Sequence, residues 1–227
     1  MFERTLKLIE KNTLEEIQRK KILLVGVGGV GGYALEALVR IGFQSITLID
    51  TDTIEETNLN RQIISTKENI GCSKVEEAKN RALTINPNVK ITAKKLFLKE
   101  ENIEDIFNIH YDYILDACDT ITTKFLLIKK ALEQQSKIIT CLGTGNRLNP
   151  GEITITTLNK TFNDPLAKAM RKILKENHIS LNTPVIWSKE LPIKTQMRAP
   201  GSIILVPASA GLNMVYFILN DILKEKD

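Results

Sequence analysis

Two cations and a carboxylate, Arg61, Lys74 and Asp119, follow a glycine-rich turn in this chain, and such a set suits chemistry on phosphates. The turn lies in K-I-L-L-V-G-V-G-G-V-G-G, Lys21 to Gly32, where Gly26, Gly28 and Gly31 keep G-x-G-x-x-G spacing. The first glycine allows a tight turn, the second lets backbone approach a phosphate, and the third lets helix pack on strand. A helix from about Val30 to Ile41 would aim free N–H groups and its positive dipole end at an anion. Asp50 ends the next apolar run, where a carboxylate can accept from ribose hydroxyls.

The residues after that acid separate one nucleotide from another. A dinucleotide site is complete with the acid alone. Here Asp50 and Asp52 are followed by Asn58, Asn60, Arg61 and Gln62, then by G-C-S-K ending at Lys74. Cleavage between the α- and β-phosphates of ATP needs cations on the phosphates and on leaving pyrophosphate. Arg61 offers a planar fork of donors and Lys74 a compact charge. Leu115-Asp116-Ala117-Cys118-Asp119 ends a further strand, and an acid at that carboxyl edge can hold Mg²⁺ against phosphates. Read singly, Arg61 and Lys74 are also consistent with solvated surface charges, and Asp119 with a helix N-cap before Ile121. Their joint order and spacing favour a site.

Alternating elements must position these groups. After an amphipathic start, Thr5 to Lys20, short apolar runs recur at Ile22–Val25, Ser45–Ile49, Val89–Ala93, Tyr113–Leu115 and Ile138–Cys141. Helical patterns separate them, one beginning near Lys74 and closed by Pro87, which predicts a largely parallel sheet. Beyond Asn149-Pro150-Gly151 the period changes to two at Ile153–Thr156, with a second such run at Ser202–Val206. The expected fold is α/β: a Rossmann-like mixed sheet, its parallel N-terminal part extended by antiparallel C-terminal strands, with helices on both faces. At 227 residues the whole chain reads as one domain, with residues 1–150 as the nucleotide part. Residues 151–227 form the substrate-specific and dimerisation part.

Composition excludes several classes. An apolar share of 43% and a charged share of 26% are those of an ordinary globular chain. No signal-peptide pattern opens the sequence, and the apolar helix expected at Ser209 to Leu223 is interrupted by Asn213, Asn220 and Asp221. That helix reads as buried or as a dimer interface, not as a membrane anchor. Cys72, Cys118 and Cys141 are odd in number and widely spaced, which points to a reducing cytoplasm and no disulfide framework. The same scatter leaves no C-x-x-C pair for zinc. A net charge of +4 permits a polyanionic partner without requiring one.

Taken in order, G-x-G-G-x-G, I-D-x-D, N-x-N-R-Q, G-x-x-K and D-x-x-D resemble the ThiF/MoeB adenylyltransferases, relatives of ubiquitin-activating enzymes. The resemblance runs from about Lys20 to Glu152. It implies ATP on the glycine turn and activation of a carboxylate as an acyl-adenylate. On that basis Gly26, Gly28, Gly29, Gly31, Asp50, Asp52, Asn58 and Gln62 make up the nucleotide contacts. Asp50 holds the ribose, Asn58, Arg61 and Lys74 the phosphates, and Asp119 the magnesium. A second resemblance narrows the first. Asp164-Pro-Leu-Ala-Lys-Ala-Met-Arg171-Lys-Ile-Leu-Lys175 is similar to the D-P-L-A-x-x-x-R-x-x-L-K helix of the tRNA threonylcarbamoyladenosine dehydratases. Gly143 to Pro150 and Ile186 to Glu190 match the same group more weakly. This implies a hypermodified adenosine of tRNA as substrate, and a homodimer.

The chain departs from that group in two places. Val185 stands beside I-W-S-K-E where the dehydratases carry a cysteine, so no covalent cysteine step is expected there. Arg4 is shifted from the N-terminal arginine that related enzymes extend to the neighbouring subunit. Two other readings remain open. One is activation of the C-terminal glycine of a sulfur-carrier protein; the other is a non-catalytic scaffold docking a cysteine desulfurase or sulfur acceptor.

Lys168, Arg171, Lys172 and Lys175 share one helical stripe, and a basic stripe reads equally as a phosphate contact or a solvated face. His110 and His178 lack partners at motif spacing and read as structural. Cys118 reads as a small buried residue. Trp187 is either a base-stacking ring or a core anchor.

Overall fold

The computed structural model describes residues 1–196 and 199–224. The run Ile22–Val25 is apolar on both faces because its strand, β1 (Lys21–Val25), lies in mid-sheet. β2 (Ser45–Asp50) and β4 (Tyr113–Asp116) flank it, both parallel. β3 (Lys90–Lys95) continues the sheet beyond β2, and β5 (Lys137–Cys141) beyond β4. Strand order therefore reverses beside β1, and open sheets of this kind bind ligands at such a switch point.

Two C-terminal strands complete the order β3-β2-β1-β4-β5-β7-β6. β7 (Pro184–Ser188) pairs parallel with β5, Thr140 opposite Val185, and β6 (Ile153–Thr157) pairs antiparallel with β7. Only one of the two is antiparallel. The strand expected at Ser202–Val206 is not there. Ile203 and Ile204 are exposed, and Leu205 opens a helix whose Pro207 falls in the first turn, where its missing N–H leaves no bond unmade. The β-branched run imitated a strand, but no sheet edge pairs with it.

The sheet is covered on both faces. α1 (Lys11–Arg19) occupies only the second half of the amphipathic start; Thr5–Lys7 forms a 3₁₀ turn. α2 (Gly31–Ile41), α3 (Lys74–Ile85) and α7 (Leu205–Lys224) bury Leu38, Val75, Met214 and Ile218 against Leu24 and Leu115. α4 (Ile103–Ile106), α5 (Ile121–Gln134) and α6 (Pro165–Glu176) bury Ile106, Leu127 and Met170 against Leu23 and Ile114. α7 is long and apolar enough to cross a membrane, but Ala210, Met214, Ile218 and Ile222 are spent in the core.

Candidate active site

The glycine turn closes on itself by contacts that admit no side chain. Gly26 has φ +87°, and a Cβ there would lie 2.7 Å from Ala117 O. A Cβ on Gly31 would lie 1.8 Å from Gly26 O, so α2 can start against β1 only with glycine at that point. Asp50 ties the turn to the end of β2: its Oδ2 accepts Val27 N at 2.7 Å and its Oδ1 accepts Asp52 N at 2.9 Å. The expected ribose acid is thus also a brace for the turn.

Beside this turn lies a cleft of about 640 Å³. It gathers Gly26, Gly28, Gly29, Asp50, Asp52, Asn58, Arg61, Gln62, Lys74 and Asp119 from five separate segments. Gly31 lies beneath it, in the helix packing described above. Lys74, first residue of α3, is almost buried and places Nζ 2.8 Å from the half-exposed Asp52 carboxylate. Arg61 Nη1 donates to Thr57 O at 2.8 Å and Asn60 Oδ1 at 3.0 Å, leaving Nε and Nη2 without partners among the described residues. Neither cation is a surface charge free to wander. Asn58 is buried, and its Oδ1 accepts Glu55 N at 3.0 Å, so part of its polarity is used to shape the turn before Arg61. Gln62 is also buried, with Oε1 lacking a partner among the described residues.

Asp119 stands exposed on the cleft wall. The N-cap of α5 is Thr120, one residue later, so Asp119 is not the cap. Behind it, Asp116 and Lys124 form a fully buried pair at 3.1 Å, and Lys124 Nζ also donates to Cys141 O at 2.7 Å. Burial works against the Lys124 charge, but Asp116 beside it raises the ammonium pKa overall. Burial first, then Asp116, push the Cys118 thiol far up, and burial pushes Cys141 up to about 12. Neither thiol is a thiolate at neutral pH, which suits neither for attack. Cys72 is exposed.

Several wall residues were not expected in the site from the sequence: Phe97 from the segment after β3, Thr144 inside the weaker Gly143–Pro150 match, and Ser202, whose carbonyl accepts Asn60 Nδ2 at 2.9 Å. A second buried pair was also missed. Arg147 Nη2 lies 3.5 Å from Asp164 Oδ2, and that oxygen accepts Gly143 N at 3.2 Å. Arg147 further donates through Nη1 to Gly143 O and through Nε to Glu190 O. Asp164 Oδ1 caps α6 through Ala167 N at 3.0 Å. The D of D-P-L-A is therefore a joint between the start of α6 and the loop carrying Thr144.

The basic stripe divides on inspection. Lys168, Lys172 and Lys175 are exposed. Arg171 turns inward and donates through Nη1 to Leu158 O at 3.3 Å, Thr161 O at 3.0 Å and Thr161 Oγ1. Trp187 is buried with Nε1 bonded to Phe162 O at 3.1 Å, so it is an anchor and not a stacking surface. His110 and His178 are exposed, the latter at φ 56°. Val185 is buried in β7, and Arg4 is exposed ahead of α1.

Residues 2–197 match the model of the ThiF family. The chain is 36% identical over 242 aligned residues to the tRNA threonylcarbamoyladenosine dehydratase of Bacillus subtilis, spanning 99% of this chain and 95% of that one. It is 36% identical over 176 residues to the Escherichia coli protein of that name, spanning 78% and 66%. The crystal structure of the E. coli dehydratase in complex with ATP superposes with a TM-score of 0.93 at 31% identity, over 99% of this chain and 94% of that one. A second structure of that enzyme, with AMP, gives 0.93 at 32% identity. The chain belongs to the ThiF family.

Proposed function

We propose that this protein uses ATP to dehydrate threonylcarbamoyladenosine in tRNA, closing its side chain to a cyclic form. The carrying observation is the convergence of the glycine turn, Arg61, Lys74 and Asp119 on one cleft, in a chain similar along its length to dehydratases of that substrate. The threonyl carboxylate attacks the α-phosphorus of ATP and pyrophosphate leaves. The neighbouring carbamoyl group then attacks the activated carbonyl carbon, and AMP leaves with the former carboxylate oxygen. Proximity takes the place of a protein nucleophile, consistent with the Cys118 and Cys141 thiols being held protonated by burial.

Arg61 and Lys74 stabilise charge gathering on the phosphates, held for that task by Asn60 and Asp52. The site fits a nucleotide: donors on Arg61 and an acceptor on Gln62 that lack partners among the described residues line it, and the glycine turn that leads into α2 forms its wall. Magnesium usually takes one or two carboxylates plus phosphate oxygens; Asp119 is the carboxylate suited to hold it, where it would neutralise phosphate charge. Asp50 remains the ribose contact and Asn58 a phosphate contact, with Gly26, Gly28, Gly29, Asp52 and Gln62 among the other nucleotide contacts.

The exposed lysines of α6 supply phosphate contacts for tRNA. Leu205, Leu212 and Tyr216 project from the outer side of α7, an apolar face suited to a homodimer. We further assign the protein to the cytoplasm, without structural zinc; a cysteine desulfurase or sulfur acceptor is a lesser partner. The test is ATP-dependent loss of water from the modified tRNA with AMP formed in step. ADP as product would reject adenylation.

A further inference from the structure

The turn Thr161–Asn163 is fastened on its inner side yet carries an aromatic ring to solvent. Thr161 Oγ1 donates to Leu158 O at 2.7 Å, and Arg171 donates to Thr161. Trp187 Nε1 donates to the Phe162 carbonyl. Asn163 has φ 51°, and the next residue is the buried cap Asp164. The Phe162 ring stands at 71° to the Trp187 ring with centroids 4.6 Å apart, and it is 52% exposed. An exposed phenylalanine alone is ordinary. This one packs edge-on against a buried tryptophan, and Arg171 fastens the residue before it, so its backbone is held in place before any ligand binds.

Its position is the second observation. Asp164, two residues on, contacts Gly143 and Arg147, and Thr144 between them lines the cleft. Exposed Lys160 precedes the ring in the chain, and α6 with exposed Lys168, Lys172 and Lys175 follows it. The ring is thus tied through Asp164 to the loop that lines the cleft and is flanked along the chain by exposed cations. Proteins recognise unpaired RNA by stacking splayed bases on such rings while cations hold the phosphates. Resting on the tRNA reading above, we propose that Phe162 is a stacking platform for an unpaired base of the tRNA substrate. Trp187, Arg171 and Asp164 are its positioning residues.

Stacking and phosphate contacts leave different signatures. A lost stack lowers affinity by one factor at every salt concentration, whereas a lost phosphate contact flattens the salt slope. Purified tRNA is titrated onto the full chain at several salt concentrations, with Phe162→Ala, Phe162→Leu and Phe162→Tyr compared. The Leu variant keeps apolar cover over Trp187 but removes the aromatic face. Ala and Leu are expected to weaken tRNA binding by on the order of 10-fold with an unchanged salt slope. Tyr is expected to bind like the parent, and ATP affinity to hold in all three. Parental tRNA affinity in both Ala and Leu overturns the platform, as does a Leu variant that binds as well as Tyr. If Phe162→Ala instead halves the particle mass in light scattering, the ring belongs to an interface between copies, and the platform is overturned. A parent protein that binds no tRNA at any salt concentration rejects the tRNA reading itself, and the platform with it.

Discussion

Lys124 Nζ lies 3.1 Å from Asp116 Oδ1, with neither side chain exposed, directly behind the loop that carries Asp119. The same Asp116 oxygen accepts Cys118 N at 3.3 Å, a turn that sets the direction of the chain just before Asp119. The pair therefore joins core packing to the shape of the cleft wall.

Removing one partner would strand a buried charge. Lys124→Met is expected to cost about 3–5 kcal/mol of stability, and Lys124→Met combined with Asp116→Leu to recover most of it. Urea unfolding measures both. The pH dependence follows from the raised Lys124 pKa: its stabilisation is fully present below the ordinary value of 10.5 and is lost only as pH rises through the higher folded value. The stability that Lys124 contributes to the parent protein should thus be constant across neutral pH. Activity should stay low in the double variant, because the Asp116 turn is gone even where stability returns.

For the helix face, Lys168, Lys172 and Lys175 changed together to Glu should weaken tRNA binding and flatten its salt dependence, with ATP binding preserved. Arg171 is left in place because it fastens the turn at Thr161. Unchanged tRNA affinity would return the stripe to a solvated face.

The cysteines supply a third test. Cys72, Cys118 and Cys141 replaced together by Ser or Ala should leave turnover largely intact, and elemental analysis of the parent should find zinc well below one per chain. Loss of turnover in a well-folded triple variant would mean a thiol takes part in cyclisation.

What the sequence made legible was local. The glycine turn and Asp50 are spaced by one strand-turn-helix-strand unit, while Arg61, Lys74 and Asp119 sit in short motifs of their own, and all line one cleft. Five strands of the parallel part were visible as apolar runs for the same reason. The misreadings came from contacts between distant segments. Ser202–Val206 has strand-like residues, but whether a run pairs depends on a free edge elsewhere, and this one instead offers Ser202 O to Asn60. Arg171 shares a stripe with three lysines, yet Leu158 and Thr161 draw it inward. Trp187 was the visible aromatic, but burial passes the exposed position to Phe162. The Arg147–Asp164 pair joins residues from two elements and leaves no periodic trace.

We propose that AMP is transferred to a carboxylate in the cleft lined by Arg61, Lys74 and Asp119. The direct measurement incubates the protein with ATP, magnesium and tRNA carrying threonylcarbamoyladenosine, following nucleoside mass and nucleotide products together. The expected result is loss of one water per modified nucleoside with one AMP formed. Arg61→Ala and Asp119→Ala should each slow turnover by on the order of 10²-fold, the scale of losing one electrostatic contact to a transition state. Release of ADP, or dehydration at the parent rate in the well-folded Arg61→Ala and Asp119→Ala variants, would contradict it.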